Sequence, residues 1–339
     1  MDDAASSFVD VKKLNLAAGE VVALSCGAER GLVTAGCSAA QVLMVAACMT
    51  GQSEENAEQL PDTTGMKNEV ILFKGQRNRY DKAFVTAGAT LVEYGSVDSV
   101  TAADLEEAIN ENTACIAYVI APFLPQGIGL EETIRVAHEH GVPVIVDAAA
   151  EVPPRSNLSK FHKMGADMVA FSGGKGIGGP QSAGVLAGKA DLMEAVVMNS
   201  LNLDSAIAAI GRPMKVSKET IIGLVTALQL FTDSDEGDEW EGWQSKAEYV
   251  SERLKGIPGM RVEIEDDPAK RQGPQPVLYF DNDFSGPSTS EIKALLENGD
   301  PGIFVGGGGN KKEINIVMVN VQDGEEIIIA ERLNEILRS

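Results

Sequence analysis

Lys175 stands in the run Ser172-Gly173-Gly174-Lys175-Gly176-Ile177-Gly178-Gly179-Pro180, 28 positions after Asp147. Asp147 closes the apolar run Val142-Pro143-Val144-Ile145-Val146. A carboxylate at the end of a buried strand, followed by a lysine among glycines, is the equipment that a pyridoxal phosphate site requires. The lysine amine condenses with the cofactor aldehyde as a Schiff base, and the carboxylate keeps the pyridine nitrogen protonated. Each residue also has a commonplace alternative, since most lysines are surface residues and a strand-end aspartate often caps the next turn. Against the first, a glycine-rich loop around one lysine is costly in chain entropy. A Walker-type phosphate loop needs Ser or Thr after its lysine, and Gly176 follows instead.

The phosphate end of such a cofactor needs free backbone N–H groups. Val33-Thr34-Ala35-Gly36-Cys37-Ser38-Ala39-Ala40 passes from an apolar run through a glycine into a helix start, which aims N–H groups and the positive helix end at an anion. Gly36, Cys37 and Ser38 are the candidate phosphate contacts, with Ser172 as a second hydroxyl. Taken alone, the same residues also describe an ordinary helix start.

The elements that must position these groups follow from periodicity. Strand-like runs alternate with amphipathic stretches from about residue 30 to residue 190, which predicts an α/β sheet with crossover helices. Predicted strands include 69–73, 90–94, 114–121, 142–146, 167–171 and 183–186; predicted helices include 38–49, 81–87, 131–140 and 219–231. Thr101-Ala102-Ala103-Asp104 has the pattern of a capping box. The domain reading is a large domain over 1–232, an acidic linker over 233–242 and a smaller α+β domain over 243–339. In the last, a helix near 243–254, strands near 261–264, 277–280 and 314–319, and a helix at 325–337 are expected. The glycine run 306–309 suits a hairpin better than a phosphate loop, because no helix start follows it.

With 28 basic and 50 acidic residues, the chain carries a formal charge of −22. Such a chain repels phosphate backbones unless it gathers its cations locally, and no basic run does so, which disfavours nucleic acid as a partner. No uncharged apolar run reaches about 18 residues, so no membrane span is expected. Cys26, Cys37, Cys48 and Cys115 lack metal-ligand spacing, so free thiols in a reducing cytoplasm are expected, with no metal.

Several stretches, in order, resemble the selenocysteine synthase (SelA)-like branch of fold-type I pyridoxal phosphate enzymes. They are Cys26-Gly27-Ala28-Glu29, the segment from Leu60 to Glu69, Arg77-Asn78-Arg79-Tyr80-Asp81, Asp147 to Pro154, Ser172 to Gln181, and Gly211-Arg212-Pro213-Met214-Lys215-Val216. The likeness runs from about Leu14 to about Phe231. Members resemble L-seryl-tRNA(Sec) selenium transferase on one side and D-glucosaminate-6-phosphate ammonia-lyase on the other. The resemblance implies a fold-type I large domain with a mostly parallel sheet, a small C-terminal domain and a homodimer or larger assembly. It also implies a further N-terminal segment, inside which this chain opens. Where the family tends to place a histidine on the cofactor ring, this chain has Gln76, and Arg79 replaces a proline.

Together these readings predict a cytoplasmic enzyme that eliminates a β-substituent from an amino acid or phosphorylated amino sugar acid. Lys175 and Asp147 are its catalytic pair, and Arg77, Arg212 and Lys215 are its candidate anion-binding residues, because such side chains match carboxylate and phosphate. The alternatives are a selenium transferase acting on seryl-tRNA and a catalytically inactive scaffold of the same fold.

Overall fold

A computed structural model describes residues 1–121, 124–200, 207–267, 273–307 and 312–338. The chain divides into two compact units, Met1–Asp233 and Ser234–Ser339.

The first unit is built on a seven-stranded sheet: β1 (Arg30–Thr34), β2 (Glu69–Phe73), β3 (Thr90–Tyr94), β4 (Thr113–Val119), β5 (Val144–Asp147), β6 (Met168–Ser172) and β7 (Gly184–Gly188). Their spatial order is β1-β7-β6-β5-β4-β2-β3. Strands β3, β2, β4, β5 and β6 run parallel, and β7 runs antiparallel to both β6 and β1. Strands β4 and β5 are buried at every position because helices cover both faces. Side chains alternate between those faces. Val144, Val146, Val169 and Phe171 join one core with Val22 and Leu224, while Ile145, Met168 and Leu186 join the other with the Cys37–Thr50 helix.

That helix is buried at most of its positions, and Ala39, Ala40, Ala46 and Ala47 let it lie close to its neighbours. The expected capping box is present, with Thr101 accepting from Asp104 N and the Asp104 carboxylate accepting from Thr101 N. Two long helices, Val11–Cys26 and Ala190–Ser200, were not anticipated from periodicity. The first is uncharged from Leu14 to Gly19, and its pairing with β1 and with the Lys218–Asp233 helix is visible only in three dimensions.

The second unit holds an antiparallel sheet of order β10-β11-β9-β8, with β8 (Met260–Glu265), β9 (Gln275–Phe280), β10 (Gly306–Gly307) and β11 (Glu313–Asn315). Its core gathers Val250, Leu278, Ile292, Ile314 and Leu333 from the sheet and three helices. Gly306–Gly307 pair antiparallel with β11 as a hairpin requires, and 308–311 lie outside the described residues. The strand expected over 314–319 is shorter, Glu313–Asn315.

The acidic stretch expected as a linker is a helix start. The helix spans Glu236–Leu254, and Asp235 caps it by accepting from Gly237 N and Asp238 N. Glu236, Asp238 and Glu239 fill its first turn, where negative charge opposes the positive helix end. Charge density that resembles a solvated connector therefore serves as helix-terminal electrostatics.

Candidate active site

Because β7 alone is reversed, the carboxyl ends of β1, β5 and β6 fall on one edge of the sheet. Thr34, Asp147 and Ser172 end those strands. Ligands in open α/β sheets collect at this edge.

After β1, Gly36 turns the chain into the Cys37–Thr50 helix with φ +88°, a value that favours glycine. No side chain caps this helix start, so its first N–H groups are available to an anion. A Cβ added to Gly36 would meet nothing within 4 Å, so the turn faces open space. Ser38 is exposed and Cys37 buried.

Asp147 follows Ile145 by two residues and so shares the sheet face that this helix covers. It is 7% exposed. Oδ1 accepts from Ala149 N at 3.0 Å and from Cys37 Sγ at 3.4 Å, and Oδ2 accepts from the Gln41 amide. Burial pushes the Asp147 carboxyl above its ordinary range, opposed by those donors and by the charge of Lys175. Burial and the adjacent Asp147 likewise push the Cys37 thiol up, so it stands as an S–H donor.

After β6, the lysine loop is compact. Gly173 N donates to Ala183 O at 2.8 Å, Gly179 N to Gly173 O at 2.8 Å and Gly178 N to Lys175 O at 2.9 Å. Two of its glycines, Gly174 and Gly176, have backbone where a side chain would go, and a third, Gly173, is crowded by a leucine side chain. A Cβ on Gly174 would lie 2.6 Å from Gln181 Cα, one on Gly176 2.1 Å from the Val152 carbonyl oxygen, and one on Gly173 2.5 Å from Leu224 Cδ1. Lys175 itself is exposed in the single chain, and its charge acts on Asp147, Cys37 and Glu151.

Gln76 is fully buried beyond β2. Its Oε1 accepts from Val119 N at 3.0 Å and its Nε2 has no hydrogen-bond partner among the described residues. Arg77 is engaged by two carboxylates of its own chain, Asp81 and Glu93. Arg212 and Lys215 are exposed around a short 3-10 turn, Arg212–Met214. The Arg155 guanidinium lies 5.2 Å from the centre of the Phe231 ring.

Pyridoxal phosphate fits these residues. Among the described residues, the buried Asp147 carboxylate lacks a contacting cation, which a protonated pyridine nitrogen would supply. The uncapped helix start opens onto space for a phosphate, and the buried Gln76 amide has a donor to spare. Two groups at this site are absent from the reading of the sequence. Gln41 lies mid-helix, 106 residues from the carboxylate it touches, and Glu151 is one more charge in a loop. Helical spacing from Cys37 (i, i+4) is the clue that could have placed Gln41 on the same face. Among the described residues, no cluster of His, Cys, Asp or Glu is arranged to hold a metal ion, and no helix is long and apolar enough to cross a membrane.

Residues 16–277 match the family described as SelA, L-seryl-tRNA selenium transferase. A 5'-C-glycyluridine monooxygenase-decarboxylase from Streptomyces sp is 30% identical across 99% of this chain and 84% of that protein. D-glucosaminate-6-phosphate ammonia lyase from Salmonella typhimurium is 30% identical across 98% of this chain and 88% of its own length. A solved D-glucosaminate-6-phosphate ammonia-lyase superposes with a TM-score of 0.83 at 30% identity, over 99% of this chain and 89% of that one. L-seryl-tRNA(Sec) selenium transferase from Aquifex aeolicus is 28% identical over 62% of this chain, which spans about half (51%) of that protein. Serine palmitoyltransferase from Sphingomonas wittichii shares the fold at a TM-score of 0.58 and 13% identity, over 96% of this chain and 76% of that one. The fold is that of fold-type I pyridoxal phosphate enzymes.

Proposed function

Because the chain belongs to the SelA, L-seryl-tRNA selenium transferase, family, we propose that it is a pyridoxal phosphate-dependent lyase of the ammonia-lyase type. Its substrate is an amino acid or phosphorylated amino sugar acid bearing a β-leaving group. One observation carries this reading: the buried carboxylate of Asp147 ends β5 and the glycine loop of Lys175 follows β6, at the edge where an uncapped helix start also opens. When bound, the cofactor supplies an electrophilic aldehyde and an electron-accepting ring.

The protein's own residues do the rest. Cys37, Gln41 and Ala149 N fix the Asp147 carboxylate, so its charge is oriented before any ligand arrives. The glycine loop holds Lys175 on a rigid base, where its amine takes the proton from the substrate α-carbon. The N-terminal N–H groups of the Cys37–Thr50 helix bind phosphate, with Ser38 and Ser172 as hydroxyl donors. Arg212 and Lys215 are the groups for the substrate's own carboxylate or phosphate; Arg77 is already paired.

The near full-length likeness to the ammonia-lyase supports a small-molecule substrate over seryl-tRNA, as does the charge of −22. The exposure of Lys175 in a single chain supports a homodimer whose second copy covers the site, and size-exclusion chromatography with light scattering tests that. A cytoplasmic setting is part of the same proposal.

The functional test is spectroscopic and then chemical. Purified protein with added cofactor should show a visible band that borohydride bleaches, and Lys175→Ala should lose both band and turnover. A panel of β-hydroxy amino acids and D-glucosaminate 6-phosphate should release ammonia. Release of carbon dioxide instead would move the assignment toward the monooxygenase-decarboxylase relative, and an unchanged band in Lys175→Ala would mean that another lysine is used.

A further inference from the structure

Glu151 stands four residues beyond Asp147 and has no part in the roles above. Its N–H donates to Ala148 O at 3.1 Å and its carbonyl accepts from Asn157 Nδ2 at 2.6 Å, which fixes the turn after β5. The residues that follow are pressed against the lysine loop. A Cβ on Gly176 would lie 2.1 Å from the Val152 carbonyl oxygen and 2.9 Å from Pro153 Cδ. The turn that carries Glu151 and the loop that carries Lys175 are thus in backbone contact.

The Glu151 side chain is half-buried, and its Oε1 is shielded from solvent without a hydrogen bond among the described residues. The charges acting on it are those of Lys160, Asp147 and Lys175. Burial pushes its carboxyl above the ordinary range, with Lys160 opposing and Asp147 reinforcing. A desolvated carboxyl on a turn packed against the loop of a reactive amine has the properties of a proton donor.

We propose that Glu151 is the general acid that protonates a departing β-hydroxyl, an inference that rests on the elimination reading above. In that step the Lys175 amine takes the α-proton, and the former C–H electron pair becomes the second bond between the α- and β-carbons. The bond from the β-carbon to oxygen breaks with its electron pair on oxygen. The Glu151 proton completes a water molecule, leaving an ionised Glu151 beside a protonated Lys175. No oxidant or reductant is required. A hydroxyl needs this acid; a chloride does not, because it leaves unassisted.

The experiment compares two leaving groups in the cofactor-loaded protein. Native enzyme and Glu151→Gln are assayed with β-hydroxy substrates (D- and L-serine, D-glucosaminate 6-phosphate) and with D- and L-β-chloroalanine. The expected result is a loss of about 100- to 10,000-fold on the hydroxy substrate, the range for a removed general acid. Turnover of β-chloroalanine stays within about threefold on the same principle, since chloride bypasses the acid. Glu151→Asp, a shorter acid, should recover part of the hydroxy activity. Without cofactor, the infrared difference between native protein and Glu151→Gln should contain a carboxylic acid band that titrates above the ordinary glutamate range. Equal loss on both leaving groups, or retention of both, overturns the assignment while leaving the elimination reading intact. Absence of the visible band, or no turnover of either class of substrate by native enzyme, defeats the elimination reading and this inference with it; native turnover of hydroxy substrates with none of β-chloroalanine overturns the assignment alone. If Glu151→Gln fails to fold, Glu151→Asp must show the same selective deficit in milder form, and equal effects on both substrates overturn the assignment.

Discussion

Cys37 Sγ lies 3.4 Å from Asp147 Oδ1, so the first residue of the helix proposed to hold the phosphate also touches the carboxylate proposed to face the ring. One helical turn, Cys37 to Gln41, therefore ties the two ends of the candidate cofactor site together.

Burial, with this contact, should leave Cys37 an inert thiol. Burial and Asp147 push it up, burial pushes Cys26 up to about 12, and the neighbouring Cys115 raises Cys48. Because the thiolate is the nucleophile, native protein at pH 8 should react slowly with iodoacetamide at all three positions. Denatured protein should react promptly. Rapid stoichiometric labelling of Cys37 in the native state would contradict the contact.

Asp147→Asn should separate stability from function. Burial raises the Asp147 carboxyl, so the folded state holds this proton to higher pH than the unfolded chain does. Its contribution to stability is thus most favourable below the ordinary carboxylate range and declines as pH rises through the raised value. Asn has no charge to desolvate. The buried Gln41 Oε1, which has no hydrogen-bond partner among the described residues, can turn to accept from the new amide. Relative to native, the variant without cofactor should gain on the order of 1 kcal/mol in denaturant unfolding at pH 7.5 and less at pH 4. Turnover should disappear.

Gly176→Ala tests the rigidity of the lysine loop. Its new Cβ would stand 2.1 Å from the Val152 carbonyl oxygen, an atom of the backbone that cannot swing aside. The loop must shift, at a cost of about 1–3 kcal/mol. A displacement of about 1 Å in Lys175 should lower kcat roughly 100-fold. Retained kcat with normal unfolding would show that the loop tolerates a side chain.

Arg77 and Arg212 should behave oppositely. Arg77→Ala strips the guanidinium from Asp81, a buried carboxylate, and should lower stability by about 1–3 kcal/mol with KM unchanged. Arg212→Ala, at an exposed position, should leave the unfolding midpoint in place and raise KM for an anionic substrate. Steady-state kinetics and urea unfolding of both variants distinguish the roles.

Asp147 and Lys175 were legible in the sequence as candidates because each belongs to a local pattern, the end of a buried strand in one case and the middle of a glycine run in the other. Gly36 was legible for the same reason. Gln41 was not, since its contact is set by how one helix packs over β5. The pairing of Arg77 was hidden too: Glu93 sits on β3, and only the parallel register of β2 with β3 brings that strand alongside. The acidic run at 235–239 misled because charge density is common to connectors and helix starts. Only the side chain of Asp235, folded back onto Gly237 N and Asp238 N, tells them apart.

The reversal of β7 has a mechanical result. Since β6 and β7 are antiparallel neighbours, the segment between them returns to the sheet at the edge it left, clamped at Ser172 and again at Gly184. Hydrogen bonds from Gly173 N to Ala183 O and from Gly179 N to Gly173 O tie the segment together between those two points. On the chemistry proposed for Lys175, its four-carbon arm is what travels during turnover, over a floor pinned at both ends.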